Sequence, residues 1–124
     1  MTDQFRDTLF LSDLDGTLLR SDQTLDEYTC SVIDRLADAG IHFSYATARS
    51  IDTAALVTKG IRVNLPVIVH NGSFILDSVT RKPLWSAAFT HEQEIEVYGA
   101  FLDHGLFPLT YAVIDGKNRF SYIK

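Results

Sequence analysis

Three short apolar runs, each ending in a polar cluster and separated by helical stretches, constrain this 124-residue chain more than any other feature. Residues 8–12 run into Asp13-Leu14-Asp15-Gly16-Thr17. Residues 41–46 end at Thr47-Ala48-Arg49-Ser50, and residues 66–69 lead into His70-Asn71-Gly72. Apolar runs of this length between turn residues read as buried strands. Between the first two, Leu25, Tyr28, Val32, Leu36 and Ala39 recur at helical spacing, with Ile33 and Ala37 widening the stripe and Gly40 as the stop. Thr24 and Glu27 stand in capping-box positions ahead of that helix. Ser50 is expected to cap a shorter helix from Ile51 to about Lys59. Strand, helix, strand, helix, strand with short connections demands a parallel sheet with right-handed crossovers.

The rhythm changes after Gly72. Residues 74–77 and 84–87 flank a polar turn, as in an antiparallel hairpin. A helix is predicted from a cap at Thr90, with Gln93 in the box position, through Ile95, Tyr98, Phe101 and Leu102 to Gly105. Two alternating runs, 109–114 and 119–123, then flank Asp115-Gly116-Lys117-Asn118, a strong hairpin signal. The expected organisation is therefore a parallel α/β part over 1–74 and an antiparallel α+β part over 75–124.

Composition narrows the partners. With 46% hydrophobic and 22% charged residues the chain can build a core. A formal charge of −5 argues against nucleic acid or an anionic membrane as partner. The single cysteine, Cys30, excludes an internal disulfide and fits a reducing cytoplasm, where a buried or half-buried thiol is expected. An acidic start and the short run Leu9-Phe10-Leu11 fit neither a signal peptide nor a membrane span. The histidines at 42, 70, 91 and 104 show no metal-site spacing. Trp85, Tyr98 and Phe101 are expected to pack between hairpin and helix in the second part.

In an open parallel sheet, ligands bind outside the carboxyl ends of the strands, where all three polar clusters fall. Asp13 and Asp15, two residues apart on one turn, suit a hard divalent cation such as Mg²⁺. Gly16 lets successive amides face one point, a nest that with the Thr47 hydroxyl would hold phosphate oxygens. A carboxylate beside metal and phosphate is a competent nucleophile, and a second can move protons. The plain alternatives are a solvated acidic turn that caps the next segment, a strand-end hydroxyl at Thr47, and an ordinary turn at Asn71-Gly72.

Leu9-Phe10-Leu11-Ser12-Asp13-Leu14-Asp15-Gly16-Thr17 resembles the first motif of the haloacid dehalogenase (HAD) superfamily, a hydrophobic strand followed by D-x-D-G-T. Tyr45-Ala46-Thr47-Ala48-Arg49 is similar to the second motif, and Asn71-Gly72-Ser73 to a segment of the Cof-type, class IIB phosphatases. The resemblance implies a Rossmann-like, parallel three-layer core, present in part, with the start of an inserted α+β cap. It implies Asp13 as nucleophile and Mg²⁺ ligand, and Asp15 as general acid/base with its backbone carbonyl on the metal. It places Gly16, Thr47, Ala48, Arg49 and Asn71 around phosphate or substrate. Ala48 departs from the Gly usual in that motif.

The implied reaction is hydrolysis of a small phosphate ester, such as a sugar phosphate, through an aspartyl-phosphate. A phosphotransferase or mutase would share the first half of that chemistry, and a non-catalytic binding module would keep only the fold. A receiver-type phospho-acceptor is disfavoured, because its acceptor acid belongs at the third strand, where this chain has Val69-His70-Asn71. The family also needs a later Lys and an acidic pair after Gly-Asp. This sequence contains no Gly-Asp, and its last lysines are Lys117 and Lys124. The chain is therefore expected to be an amino-terminal portion with weak or no turnover, and with an exposed cap sheet edge open to self-association.

Overall fold

In the computed structural model, which describes Phe5 and residues 8–122, β1 (Leu9–Ser12) and β2 (His42–Tyr45) pair in parallel, with Leu9 opposite His42 and Ser12 opposite Tyr45. Between them runs α1 (Glu27–Asp38). A second helix, α2 (Ile51–Val57), leads to β3 (Val67–Val69), which joins β2 through a parallel bridge between Ala46 and Ile68. The expected βαβαβ order is thus present. From β3 the pairing turns antiparallel, to β4 (Phe74–Leu76) and then to β5 (Pro83–Ser86).

One helix start and one helix end differ from the sequence expectation. Asp26, not Thr24, caps α1: its carboxylate accepts from the Thr29 N–H at 2.7 Å. Thr24 is captured by Asp22, to which it donates through its N–H and its hydroxyl at 3.1 and 2.6 Å. Asp is as good a cap as Thr, and the local Asx turn removes the competitor. The later start shifts the helix's inward face. Ile33 is buried, whereas Tyr28 is 77% exposed, and Leu25 packs on the core from outside the helix. Cys30 is half-buried, as expected. Ser50 caps α2 as read, accepting from the Thr53 N–H at 3.3 Å. That helix ends earlier than expected, where the Thr58 hydroxyl bonds back to the Ala54 carbonyl at 2.9 Å.

The chain divides into two compact units, one through Ala87 and one from Ala88. The first has a core of Leu14, Leu19, Tyr45, Ile51, Ala54, Val67, Val69 and Leu76. Its β4–β5 hairpin lies with β3 because β3 and β4 share a ladder from Val67–Leu76 to Val69–Phe74. One strand departs from the expectation of burial. Leu9, Phe10 and Leu11 on β1 are 55%, 43% and 47% exposed, because β1 has a strand neighbour on one side only among the described residues.

The second unit holds α3 (His91–Asp103) and the hairpin β6 (Thr110–Ile114) and β7 (Lys117–Ser121). Its local chemistry matches the sequence closely. Thr90 and Gln93 form the complete capping box, with Thr90 Oγ1 accepting from the Gln93 N–H at 3.3 Å and Gln93 Oε1 from the Thr90 N–H at 3.0 Å. The hairpin turn is tighter than predicted, only Asp115-Gly116, since Ile114 pairs with Lys117. Both turn residues take positive φ, 52° and 71°, the backbone that a two-residue hairpin requires. None of the described residues of this unit is buried. Trp85, in the first unit, and Phe101, in the second, are both exposed.

Candidate active site

Asp13 and Asp15 flank Leu14, whose side chain is fully buried. Anchoring that leucine in the core leaves both acids on the solvent side of one wide turn, Leu14–Leu18, closed by the Leu19 N–H on the Leu14 carbonyl at 2.8 Å. Asp15 and Gly16 are non-helical within it, and Gly16 has φ 76°. A Cβ at Gly16 would meet nothing within 4 Å, so the backbone conformation, not crowding, calls for glycine. Asp13 precedes the turn but its side chain caps nothing. Its carboxylate is met only by the Thr17 hydroxyl, at 3.4 Å, among the described residues. The plain reading of Asp13 as a capping acid therefore fails.

Hydrogen bonds tie the three strand ends into one surface. The Ala46 N–H donates to the Ser12 carbonyl at 2.8 Å, and the Thr47 N–H to the Ile68 carbonyl at 2.9 Å. The Asn71 N–H reaches back to the Thr47 carbonyl at 3.1 Å, and the His70 N–H to the Arg49 carbonyl at 3.0 Å. Thr47 is buried, and its hydroxyl oxygen accepts from the Arg49 N–H at 3.2 Å, which leaves the hydroxyl proton to donate. Asn71 stands exposed at φ 55°, a conformation Asn tolerates better than most residues. Ala48 is exposed and bonds to none of the other site residues. Burial pushes the His70 imidazole below its usual range, and its ring meets Phe74 edge-on at 5.7 Å.

The shortest ion pair among the described residues joins two residues 34 positions apart. The Arg49 guanidinium forks onto Asp15, Nε to Oδ2 at 2.7 Å and Nη2 to Oδ1 at 2.6 Å. Bidentate pairing of this kind fixes both orientation and charge. These Arg49 hydrogen bonds, with a smaller contribution from its charge, hold the Asp15 carboxyl below the usual carboxylate range. Arg49 Nη2 also donates to Gln23 Oε1 at 3.1 Å. Arg49, expected beside phosphate, thus spends its fork on Asp15 here. Sequence reasoning missed Thr17 and Gln23 as parts of this surface. Thr17 stood four residues after Asp13 as a readable signal, whereas nothing in the sequence marks Gln23.

The oxygen donors suit a small hard cation in part. Asp13 offers a carboxylate without a cationic partner among the described residues, and the backbone carbonyl of Asp15 stays available while its carboxylate is held by Arg49. No group of three or more metal-binding acids, histidines or cysteines occurs among the described residues. Water and substrate oxygens complete Mg²⁺ shells routinely, so two protein donors fit that ion.

Comparison with known proteins identifies the family. A family model described as haloacid dehalogenase-like hydrolase matches residues 10–124. Over 75 residues, 60% of this chain and 28% of the relative, the chain is 41% identical to a Buchnera aphidicola protein named "Putative phosphatase". It is 34% identical over 67 residues to the Bacillus subtilis 5-amino-6-(5-phospho-D-ribitylamino)uracil phosphatase YitU, covering 54% of this chain and 25% of YitU. Among solved structures, BT1666 from Bacteroides thetaiotaomicron, placed among HAD phosphatases, superposes with a TM-score of 0.74 at 16% identity, over 94% of this chain and 42% of that one. TM0651 from Thermotoga maritima gives 0.68 at 20% identity, over 90% and 41%. Those two likenesses show the fold: a partial HAD α/β core. The chain spans between about a quarter and two fifths of the length of such curated relatives. It belongs to the haloacid dehalogenase-like hydrolases.

Proposed function

We propose that this chain carries the nucleophile-bearing part of a Mg²⁺-dependent phosphate monoester hydrolase of the Cof type, acting on a small phosphorylated metabolite such as a sugar phosphate. The observation that carries the reading is the state of Asp13, exposed at the carboxyl end of β1 with a carboxylate that caps nothing. The name of YitU, a phosphatase for a phosphorylated ribityl compound, supports the substrate class.

In this reading an Asp13 carboxylate oxygen attacks phosphorus while the ester P–O bond breaks, giving an aspartyl-phosphate. The leaving alkoxide takes a proton from Asp15. Water then attacks phosphorus, Asp15 receives its proton, and phosphate departs with the Asp13 carboxylate restored. Both Asp15 oxygens accept from Arg49, which favours the carboxylate, so Asp15 takes a proton more readily once that fork opens. The Thr47 hydroxyl and the amides around Gly16 hold phosphate oxygens, with Ala48, Arg49 and Asn71 alongside. Mg²⁺ bound by the Asp13 carboxylate and the Asp15 carbonyl would offset the charge of carboxylate approaching phosphate.

Functionally, 1–74 supplies the chemistry and 75–124 begins the cap that selects substrate, with a sheet edge open to self-association. No helix among the described residues is long and apolar enough to cross a membrane.

Beryllium fluoride, which adds to a carboxylate as a phosphoryl mimic, tests the nucleophile directly. With Mg²⁺, a bound ¹⁹F signal is expected in wild type and in Asp15→Asn but not in Asp13→Asn. A signal that survives Asp13→Asn overturns the assignment. With p-nitrophenyl phosphate, rates typical of a complete enzyme that vanish in Asp13→Asn would overturn the weak-turnover expectation.

A further inference from the structure

The site holds one side chain that neither the motifs nor the proposed chemistry uses. Gln23 lies on the exposed loop between the β1 turn and α1, and its Oε1 accepts from Arg49 Nη2 at 3.1 Å. The same nitrogen donates to Asp15 Oδ1 at 2.6 Å. A neutral loop residue thus shares one N–H₂ group with the candidate acid/base.

The loop is built to present that amide. The Gln23 N–H donates to the Arg20 carbonyl at 2.9 Å, and the Arg20 N–H to the Thr24 carbonyl at 2.9 Å. Asp22 clamps Thr24 through two further bonds, at 3.1 and 2.6 Å. Gln23 itself sits at φ 63°, a left-handed conformation uncommon for a residue other than Gly, Asn or Asp. That φ closes the three-residue turn between Arg20 and Thr24, in which the last residue is left-handed, so the turn itself fixes where the Gln23 side chain starts.

We infer that Gln23 is a positioning residue: it latches the 20–24 loop to Arg49 and so couples that loop to the orientation of Asp15. The inference rests on the phosphate-ester reading of the site only in its second part. When a phosphate anion draws Arg49 away from Asp15, the latch opens and the loop is released with it. Asp15 and Gln23 together take the Nε–H and both Nη2 hydrogens, so an anion that binds that edge of the guanidinium displaces them, whereas one bound only at Nη1 would leave the latch closed. Loop position and anion binding are therefore linked in both directions.

Side-chain and backbone NMR of the full 124-residue chain reads this. The Arg49 Nε–H is expected to exchange with solvent about two- to tenfold faster in Gln23→Ala and Gln23→Gly, the range that loss of one hydrogen bond allows. Gln23→Glu, which keeps an acceptor oxygen at the same reach, is expected to restore the wild-type rate. Gln23→Gly also relieves the backbone, so equal effects of Ala and Gly assign the change to the lost contact. On titration with inorganic phosphate and Mg²⁺, wild-type amides of residues 20–24 are expected to shift in step with those of Gly16 and Thr47. In Gln23→Gly only the latter should respond. Unchanged Arg49 exchange in both Ala and Gly variants overturns the latch, as do loop amides that stay still while Gly16 and Thr47 move. If phosphate moves none of these amides, the phosphate reading of the site fails, and the exchange rates alone decide the latch.

Discussion

The two compact units reach order by different routes. The unit through Ala87 has eight buried apolar residues in one cluster and brings three loops together at its strand ends. The unit from Ala88 has better local signals, a complete capping box and a two-residue Asp-Gly turn, yet buries nothing among its described residues. Local chemistry specifies elements. Only packing between elements holds chemical groups at fixed distances, and the site is found where that packing exists.

The largest expected contrast follows from core truncation. Leu14→Ala should cost about 2–5 kcal/mol, because Leu14 is fully buried beneath the acidic turn. Ile95→Ala on α3 should stay within about 0.5 kcal/mol, since Ile95 is 60% exposed. Urea unfolding of each variant measures both, and comparable losses would erase the distinction between the units.

Glycine replacements should differ in sign. Gly16→Ala is expected to destabilise by about 1–2 kcal/mol through its positive φ alone, as no atom obstructs the new Cβ. Gly99→Ala, inside α3 with open space around it, should stabilise that helix by about 0.5–1 kcal/mol. Thermal unfolding that shows both variants moving the same way would contradict the account.

Thr90→Ala removes one half of the capping box and should cost α3 about 1 kcal/mol, read as faster amide exchange in its first turn. The smallest effect concerns acid. The Thr29 N–H, with lesser help from the Thr29 hydroxyl and Arg20, holds the Asp26 carboxyl below its usual range. A carboxyl depressed in the folded state contributes stability above its unfolded pKa of about 3.9, and that contribution is lost as pH falls through the folded value. Helical signal from α1 should therefore fall more steeply with acid in wild type than in Asp26→Asn, which keeps a cap but cannot titrate.

Much of this was legible in the residues. Asp13, Asp15, Gly16, Thr47 and Asn71 were readable because a strand end followed by a turn puts polar groups in one place, whatever the rest of the chain does. The pairing of β4 with β3, and the exposure of β1, depend on which strands find neighbours, and a periodicity of two carries no such information. The start of α1 turned on whether Thr24 or Asp26 serves as cap, and Asp22 settles it by engaging Thr24, a contact no sequence spacing announces. Arg49 could be named from its motif, but its grip on Asp15 spans 34 residues and required the folded chain.

The one-sided pairing of β1 has a kinetic consequence. Amide hydrogens on its open edge have no ladder partner among the described residues, and the side chains above and below them are half in water. Opening of such a strand takes much less free energy than global unfolding, so its deuterium uptake should run ahead of that of β3, whose Val67 and Val69 are wholly enclosed. Asp13 follows directly on that strand. The proposed nucleophile is thus carried by a strand that opens more readily than β3, within the unit that otherwise holds it in place.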